Sequence, residues 1–319
     1  MKKSTKIWLI VAGSLTLFGA IIFTGVLAML NFDFSKLSTN KYETNRYEIT
    51  EDITSISIDT DTADVIFVTS DNTFSVECYE GKNEKHSVIA KNGVLSIKLN
   101  NTKKWYQYIG INFSSPKITV TLPSGEYGDL YIEGHTGKTD VPDGLSFCNV
   151  TVKSSTGSVS FGADSAKSVD IKCSTGSISL ESTRAETVEI KASTGHITVS
   201  DVVCENKLHT EVSTGRTVIT NVTASALFSE GDTGNITLKR VTVEGKMDIE
   251  RSTGDVRFEA CDAGEIRVET DTGDVTGTLL TEKIFYVKTD TGKISVPKST
   301  GGGICEIETD TGDIRLNVE

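Results

Sequence analysis

A Thr-Gly pair returns ten times at a spacing of 19 or 20 residues, with glycines at Gly137, Gly157, Gly176, Gly195, Gly215, Gly234, Gly254, Gly273, Gly292 and Gly312. A fixed period of that length means a stack of similar units, because one unit is too short to cover its own apolar face and must use its neighbour. The sequence has 28 glycines but only 4 prolines. With abundant Thr, Ser, Val and Ile, that mix excludes collagen, coiled coil and acidic disorder and favours β-structure.

Numbering each copy from its glycine exposes apolar columns. Position −7 runs Leu130, Val150, Val169, Val188, Leu208, Leu227, Met247, Ile266, Phe285, Cys305, and position −5 is mostly Ile or Val. Position +2 is again Val or Ile, as in Val159, Ile178 and Ile294, and +4 includes Phe161, Leu180, Val296 and Leu316. Alternation within each arm is the period of a half-buried strand. The two arms are out of phase across Thr-Gly, so the chain must bend there to aim both inward, and glycine accommodates the bend. Several copies carry a third apolar residue at +7 (Val202, Val222, Val241, Leu280), so each coil has three inward stretches. The prediction is an all-β, parallel β-solenoid of about ten coils over 130–319, with strands about 4.8 Å apart.

An earlier rung lies at 56–67 (ISIDTDTADVIF), where Ala63 takes the glycine place. The stretch between Ala63 and Gly137 breaks the period and holds hairpin patterns: SVECYEG, then HSVIAKNGVLSIKL turning at Asn92-Gly93, then PKITVTLP. Residues 51–129 therefore read as a first rung plus an N-terminal cap. The final coil, GDIRLNVE, reads as an open edge that self-associates or docks a partner strand.

Residues 7–30 contain no charge and would span about 36 Å as a helix, enough to cross a bilayer. Lys2, Lys3 and Lys6 precede the run, so residues 1–6 are expected in the cytoplasm and the rest outside. A cleaved signal peptide ending near Val26-Leu27-Ala28 is the rival reading, but the run is longer than a usual signal core. Residues 31–50 read as a polar stalk. Beyond residue 30 the chain carries 29 basic and 44 acidic residues, a net −15, which disfavours nucleic acid as a partner. The six cysteines show no metal-binding spacing, and those in the repeats fall in different columns.

The block KITVTLPSGEYGDLYIEGHTG (117–137), followed by the serial STGSVSF, STGSISL, STGHITV, DTGDVTG and DTGDIRL units, resembles the bacterial "putative adhesin" β-strand-repeat family. The resemblance covers about residues 50–319. It implies a β-solenoid at the cell envelope, often behind one membrane anchor, and supplies no catalytic residue, metal or cofactor. Some relatives are similar to accessory proteins of envelope-stress signalling.

The columns beside Thr-Gly carry whatever chemistry the repeats have. Late copies are acidic at −2 and +1, and stacked carboxylates such as Asp271, Asp274, Asp310 and Asp313 are Ca²⁺ candidates, although Asp also suits a solvated turn. The −4 column segregates into Lys153, Lys172 and Lys191, then Glu211, Glu230, Glu250 and Glu269. It is either a solvated strand face or a recognition surface for a charged glycan or protein. In the cap, Trp105, Tyr106 and Tyr108 stand beside Lys103 and Lys104; they either plug the open solenoid or bind sugars. His86, His135, His196 and His209 are scattered and no catalytic motif occurs, so no enzyme is expected, a glycan-active one included. The expectation is a single-pass, extracytoplasmic β-solenoid that acts as a binding or scaffold module for an envelope protein or glycan. An accessory role in envelope-stress sensing is the alternative.

Overall fold

The computed structural model describes residues 3–33, 41–105 and 114–319. A helix, α1 (Lys3–Met29), comes first. Among the described residues it is the one helix long and apolar enough to cross a membrane, by length and composition. Everything after it is strand and turn.

The cap contains β1 (Tyr42–Glu48), β2 (Ser55–Thr60), β3 (Asp64–Ser70), β4 (Ser75–Gly81), β5 (Glu84–Lys91), β6 (Val94–Asn101) and β7 (Lys117–Pro123). The expected hairpin turns at Asn92-Gly93, both with positive φ (53° and 79°), and pairs β5 with β6 from Lys91↔Val94 onward. β6 then pairs parallel with β2, and β7 parallel with β3, so the cap continues both arms of the stack. The expected stalk is shorter than 31–50: β1 pairs antiparallel with β4 over its whole length. Alternation in YETNRYE gives it one face to lay against the cap.

From the first rung upward the coils stack in parallel and in register. Ile56 faces Leu130, Val150 faces Val169, and Ile190 sits between Ile171 and Thr210. The −7, −5, +2 and +4 columns form one continuous core through most of the rod. The Thr-Gly corner explains itself geometrically. Gly176 has φ 147°, and a Cβ there would lie 1.7 Å from the Gly157 carbonyl oxygen, so stacking as well as the bend demands glycine. A second corner lies at +6, where Ser182, Asp201, Asn221, Arg240 and Ala260 all have φ of 50–56°. Side chains bridge this corner between rungs: Asn221 Nδ2 donates to Asp201 Oδ1 (2.8 Å), and Arg240 Nε to Asn221 Oδ1 (2.6 Å). Register shifts just beyond it, such as Ala185/Thr187 against Cys204/Lys207, absorb the difference between 19- and 20-residue coils.

Two expectations are corrected. At +7 of the Gly273 coil, Leu280 is exposed and Leu279 is buried, because the pairing shifts between Phe258 and Cys261. More importantly, the last two coils are not stacked in chain order. The strand Gly303–Thr311 pairs with the Gly273 coil on one side (Val268↔Ile307) and with Lys283–Thr291 on the other (Val287↔Ile307). The strand Ile314–Val318 is likewise flanked by Val275–Leu279 and Ile294–Ser295. The final coil is therefore an insert between the Gly273 and Gly292 coils, and GDIRLNVE is not an open edge. The outer edge belongs to the Gly292 coil, which is why Ile294 and Tyr286 stay 47% and 60% exposed. That coil is pinned at its start: Lys283, 3% exposed, donates to Asp262 Oδ1 (2.6 Å) and Thr281 Oγ1 (2.6 Å). Burial opposes ionisation of Asp262, but the hydrogen bonds from Lys283 and Thr281 outweigh it and hold the carboxyl below its ordinary range.

Candidate functional site

The out-facing −4 and −2 positions of neighbouring coils line up beside the Thr-Gly corner and enclose a groove of about 370 Å³. Its basic half presents Lys153, Lys172 and Lys191, one per rung, with Ser155, Ser174 and Ser193 beside them. In-register parallel pairing creates the ladder: Lys153↔Lys172 and Lys172↔Lys191 are direct strand partners. Like charges one rung apart repel by nearly 1 kcal/mol per pair in water. The flanking side chains offset this. Lys172 pairs with Asp170 (3.0 Å), and Lys191 with Glu189 (3.1 Å) and Glu211 (2.9 Å). Hydrogen bonds to Glu211 and Glu189 raise the Lys191 pKa, and the bond to Lys191 lowers that of Glu189. Lys153 lies over the Tyr131 ring, 5.6 Å from its centroid.

The same columns turn acidic further along. Glu230, Glu250, Glu269, Asp232 and Asp271 rim a second hollow of about 230 Å³ with Arg251 at its floor. Arg251 occupies the inward −3 position and is 4% exposed. Gly231 beneath it makes the room, since a Cβ there would touch the guanidinium at 2.9 Å. Arg251 donates to Ser229 Oγ (2.8 Å), Ser229 O (3.1 Å) and Glu250 O (2.8 Å), while Ser229 Oγ also accepts from Thr210 (2.8 Å). Burial lowers its pKa to about 10. On the rim, Arg267 bridges Glu250 (2.7 Å), Asp248 (3.2 Å) and Glu269.

The late aspartates do a structural job. At +1, each Asp accepts the backbone N–H of the equivalent residue on the next rung: Asp274 N–H to Asp255 (3.0 Å), Asp313 N–H to Asp274 (2.8 Å), Lys293 N–H to Asp313 (2.8 Å). Arg315 neutralises Asp274 and Asp313 at 3.2 and 2.9 Å. Asp271 and Asp310 lie at −2, across the Thr-Gly corner from that ladder, and the four do not converge on one point. Among the described residues, three metal-ligating groups converge in two places instead: His209, Glu211 and Glu230 beside the groove, and Cys78, Glu80 and His86 inside the cap. Sequence reasoning treated the histidines as scattered and missed both. The available signal was parity: Cys78 and Glu80 alternate on one strand face. That buried thiol is no nucleophile, since burial first, then Glu80 and Glu77, push it up to about 12.

The aromatic patch is only partly described. Trp105 is 77% exposed and does not plug the solenoid. Lys103 is turned inward, its Nζ paired with Glu84 at 2.5 Å. Tyr106 and Tyr108 lie outside the described residues. All six cysteines are free thiols, and only Cys148 is exposed.

A parallel β-solenoid with a hairpin cap and a charged, rung-repeating groove defines the class as a repeat scaffold. The chain belongs to the Toastrack DUF4097 family, which matches residues 53–213 and 205–319. That family includes the "putative adhesin" β-solenoids, whose function is uncharacterised. Similar solved structures include a "putative adhesin" from Parabacteroides merdae (12% identity, 88% of this chain and 98% of that one, TM-score 0.49). Another, from Parabacteroides distasonis, is 13% identical over 85% of this chain and 98% of its own, with a TM-score of 0.44. A "putative lipid binding protein" from Parabacteroides distasonis is 12% identical over 88% and 98%, with a TM-score of 0.45. No curated protein matches the chain.

Proposed function

We propose that this chain is a single-pass, extracytoplasmic β-solenoid that acts as a binding or scaffold module at the cell envelope and carries out no catalysis. α1 is its anchor, with residues 1–6 in the cytoplasm. The observation that carries the reading is the Lys153–Lys172–Lys191 ladder, set in a hydroxyl-lined groove on an otherwise acidic domain. Cations repeated about every 4.8 Å along a rigid face suit an extended anionic polymer, such as an acidic glycan, better than a compact ligand. The test is binding of the full chain, in detergent micelles, to acidic and neutral polysaccharides. Replacing Lys153, Lys172 and Lys191 by Ser should cut acidic-glycan affinity at least tenfold and flatten its salt dependence, with neutral glycans unbound throughout. A triple variant that binds as well as the native chain refutes the groove.

One observation favours the accessory envelope-stress role as a second reading. Only residues 30–41 separate α1 from β1, a reach of roughly 40 Å even when fully extended. The cap is thus tethered near the membrane that holds α1, where a membrane protein partner is within range. Cross-linking of the full chain in intact cells tests this; recovery of soluble glycan and no membrane protein counts against it.

A further inference from the structure

Cys78, Glu80 and His86 play no part in the groove, yet they form the most completely enclosed polar group in the cap. Cys78 and Glu80 leave the same face of β4 because strand side chains alternate. The chain then turns, with Gly81 facing Glu84, and β5 brings His86 back against them. Exposure is 0% for Cys78, 0% for Glu80 and 4% for His86. One ligand atom from each lies within 4.8 Å of the other two, and His86 Nδ1 is 2.8 Å from Glu80 Oε2. Three atoms that close surround one point, and small side-chain adjustments bring them to metal bond lengths of about 2.0–2.3 Å.

The outer contacts match a ligand set as well. A metal-binding histidine ordinarily has its second ring nitrogen held by a hydrogen-bonding partner, and a ligating carboxylate is itself hydrogen-bonded. Here His86 Nε2 lies 3.0 Å from Thr60 Oγ1, and Glu80 Oε1 accepts from Asn45 Nδ2 at 2.7 Å. The far side of each group is fixed while the near sides converge. Around them the cap interior is Val76, Leu95, Ile97, Ile118 and Val120, a setting in which a carboxylate, an imidazole and a thiol are costly unless something within the cluster compensates.

We propose that Cys78, Glu80 and His86 bind a single zinc-type divalent transition-metal ion inside the N-terminal cap. Sulfur, imidazole and carboxylate together suit Zn²⁺ and do not suit Ca²⁺ or Mg²⁺, which take oxygen ligands. Binding converts the Cys78 thiol to a metal-bound thiolate and releases its proton to solvent. The ion ties β4 to β5 directly. Through Thr60 and Asn45 it also braces β2 and β1, so it staples the end of the stack that the chain enters first.

The experiment uses the full chain in detergent micelles, with Cys148→Ser introduced to remove the exposed thiol. Protein purified without chelator should carry about one zinc per chain. After zinc removal, one equivalent of Co²⁺ should produce a thiolate-to-cobalt charge-transfer band, and one equivalent of Zn²⁺ should raise Tm by about 5 °C over the chelated protein. Cys78→Ser should abolish the band, and His86→Gln should sharply lower zinc content if the serine variant does not fold. A folded chain with no bound zinc, no band and an unchanged Tm overturns the proposal and leaves a hydrogen-bonded cluster. A band of equal strength in Cys78→Ser overturns it too.

Discussion

Cysteines placed at Glu269 and Glu308 report directly on the inserted final coil. The two residues are strand partners, so their Cα atoms should lie about one rung, 4.8 Å, apart, inside the 4.4–6.8 Å range of a disulfide. Glu308 also partners Lys288, which puts Glu269 and Lys288 two rungs apart. That is about 9.6 Å, too far to bridge without breaking the stack. In a Cys148→Ser background, the Glu269→Cys/Glu308→Cys protein should oxidise readily, and Glu269→Cys/Lys288→Cys should not. The first bridge closes a loop of 39 residues. The chain-entropy relation gives about 4 kcal/mol of stabilisation for that loop, visible as a higher Tm than in the reduced protein. Free-thiol titration and peptide mapping of the oxidised proteins supply the readout. Oxidation of the 269/288 pair without the 269/308 pair would mean that the coils stack in chain order, and the insertion would be refuted.

Gly176→Ala should cost roughly 3 kcal/mol or more, since the new methyl meets a carbonyl oxygen at 1.7 Å and the bend and rung bonds must give way together; a denaturant midpoint close to the native value would contradict the corner argument. Asp262→Asn leaves Lys283 buried with no counter-charge and should destabilise by about 3 kcal/mol. Because the folded Asp262 pKa is lowered, its contribution is present above the ordinary carboxyl pKa and fades as pH falls through the folded value. The difference in unfolding free energy between Asp262→Asn and native protein should therefore shrink in acid, and a difference independent of pH argues against the ion pair. Protease added outside intact protoplasts should digest the chain after about residue 31, whereas a protected solenoid would place it in the cytoplasm.

Much of the stack was legible because parallel stacking repeats each column. Ile190 was assignable between Ile171 and Thr210 from period alone, and Asn92-Gly93 marked its hairpin by its backbone needs. The order of the last two coils was not legible. Both carry the same columns, so either can pack on the Gly273 coil, and the choice rests on long-range contacts such as Lys283–Asp262. Leu280 was misplaced because a bulge, invisible to the period, moved the inward position to Leu279. Arg251 sits at an inward position only because Gly231, one rung away, leaves space for it. In the groove, the Lys and Glu segregation was readable, but its concavity depends on the bend at each corner. The Cys78–Glu80–His86 cluster needed the length of the turn after Gly81, which composition does not encode.

Amide hydrogen exchange of the full chain, with and without an acidic polysaccharide, tests the binding account most directly. The account predicts added protection confined to residues around Lys153, Lys172 and Lys191 and their −2 serines, lost when salt is raised. Unchanged exchange there, or protection that falls on another face of the solenoid, would contradict it.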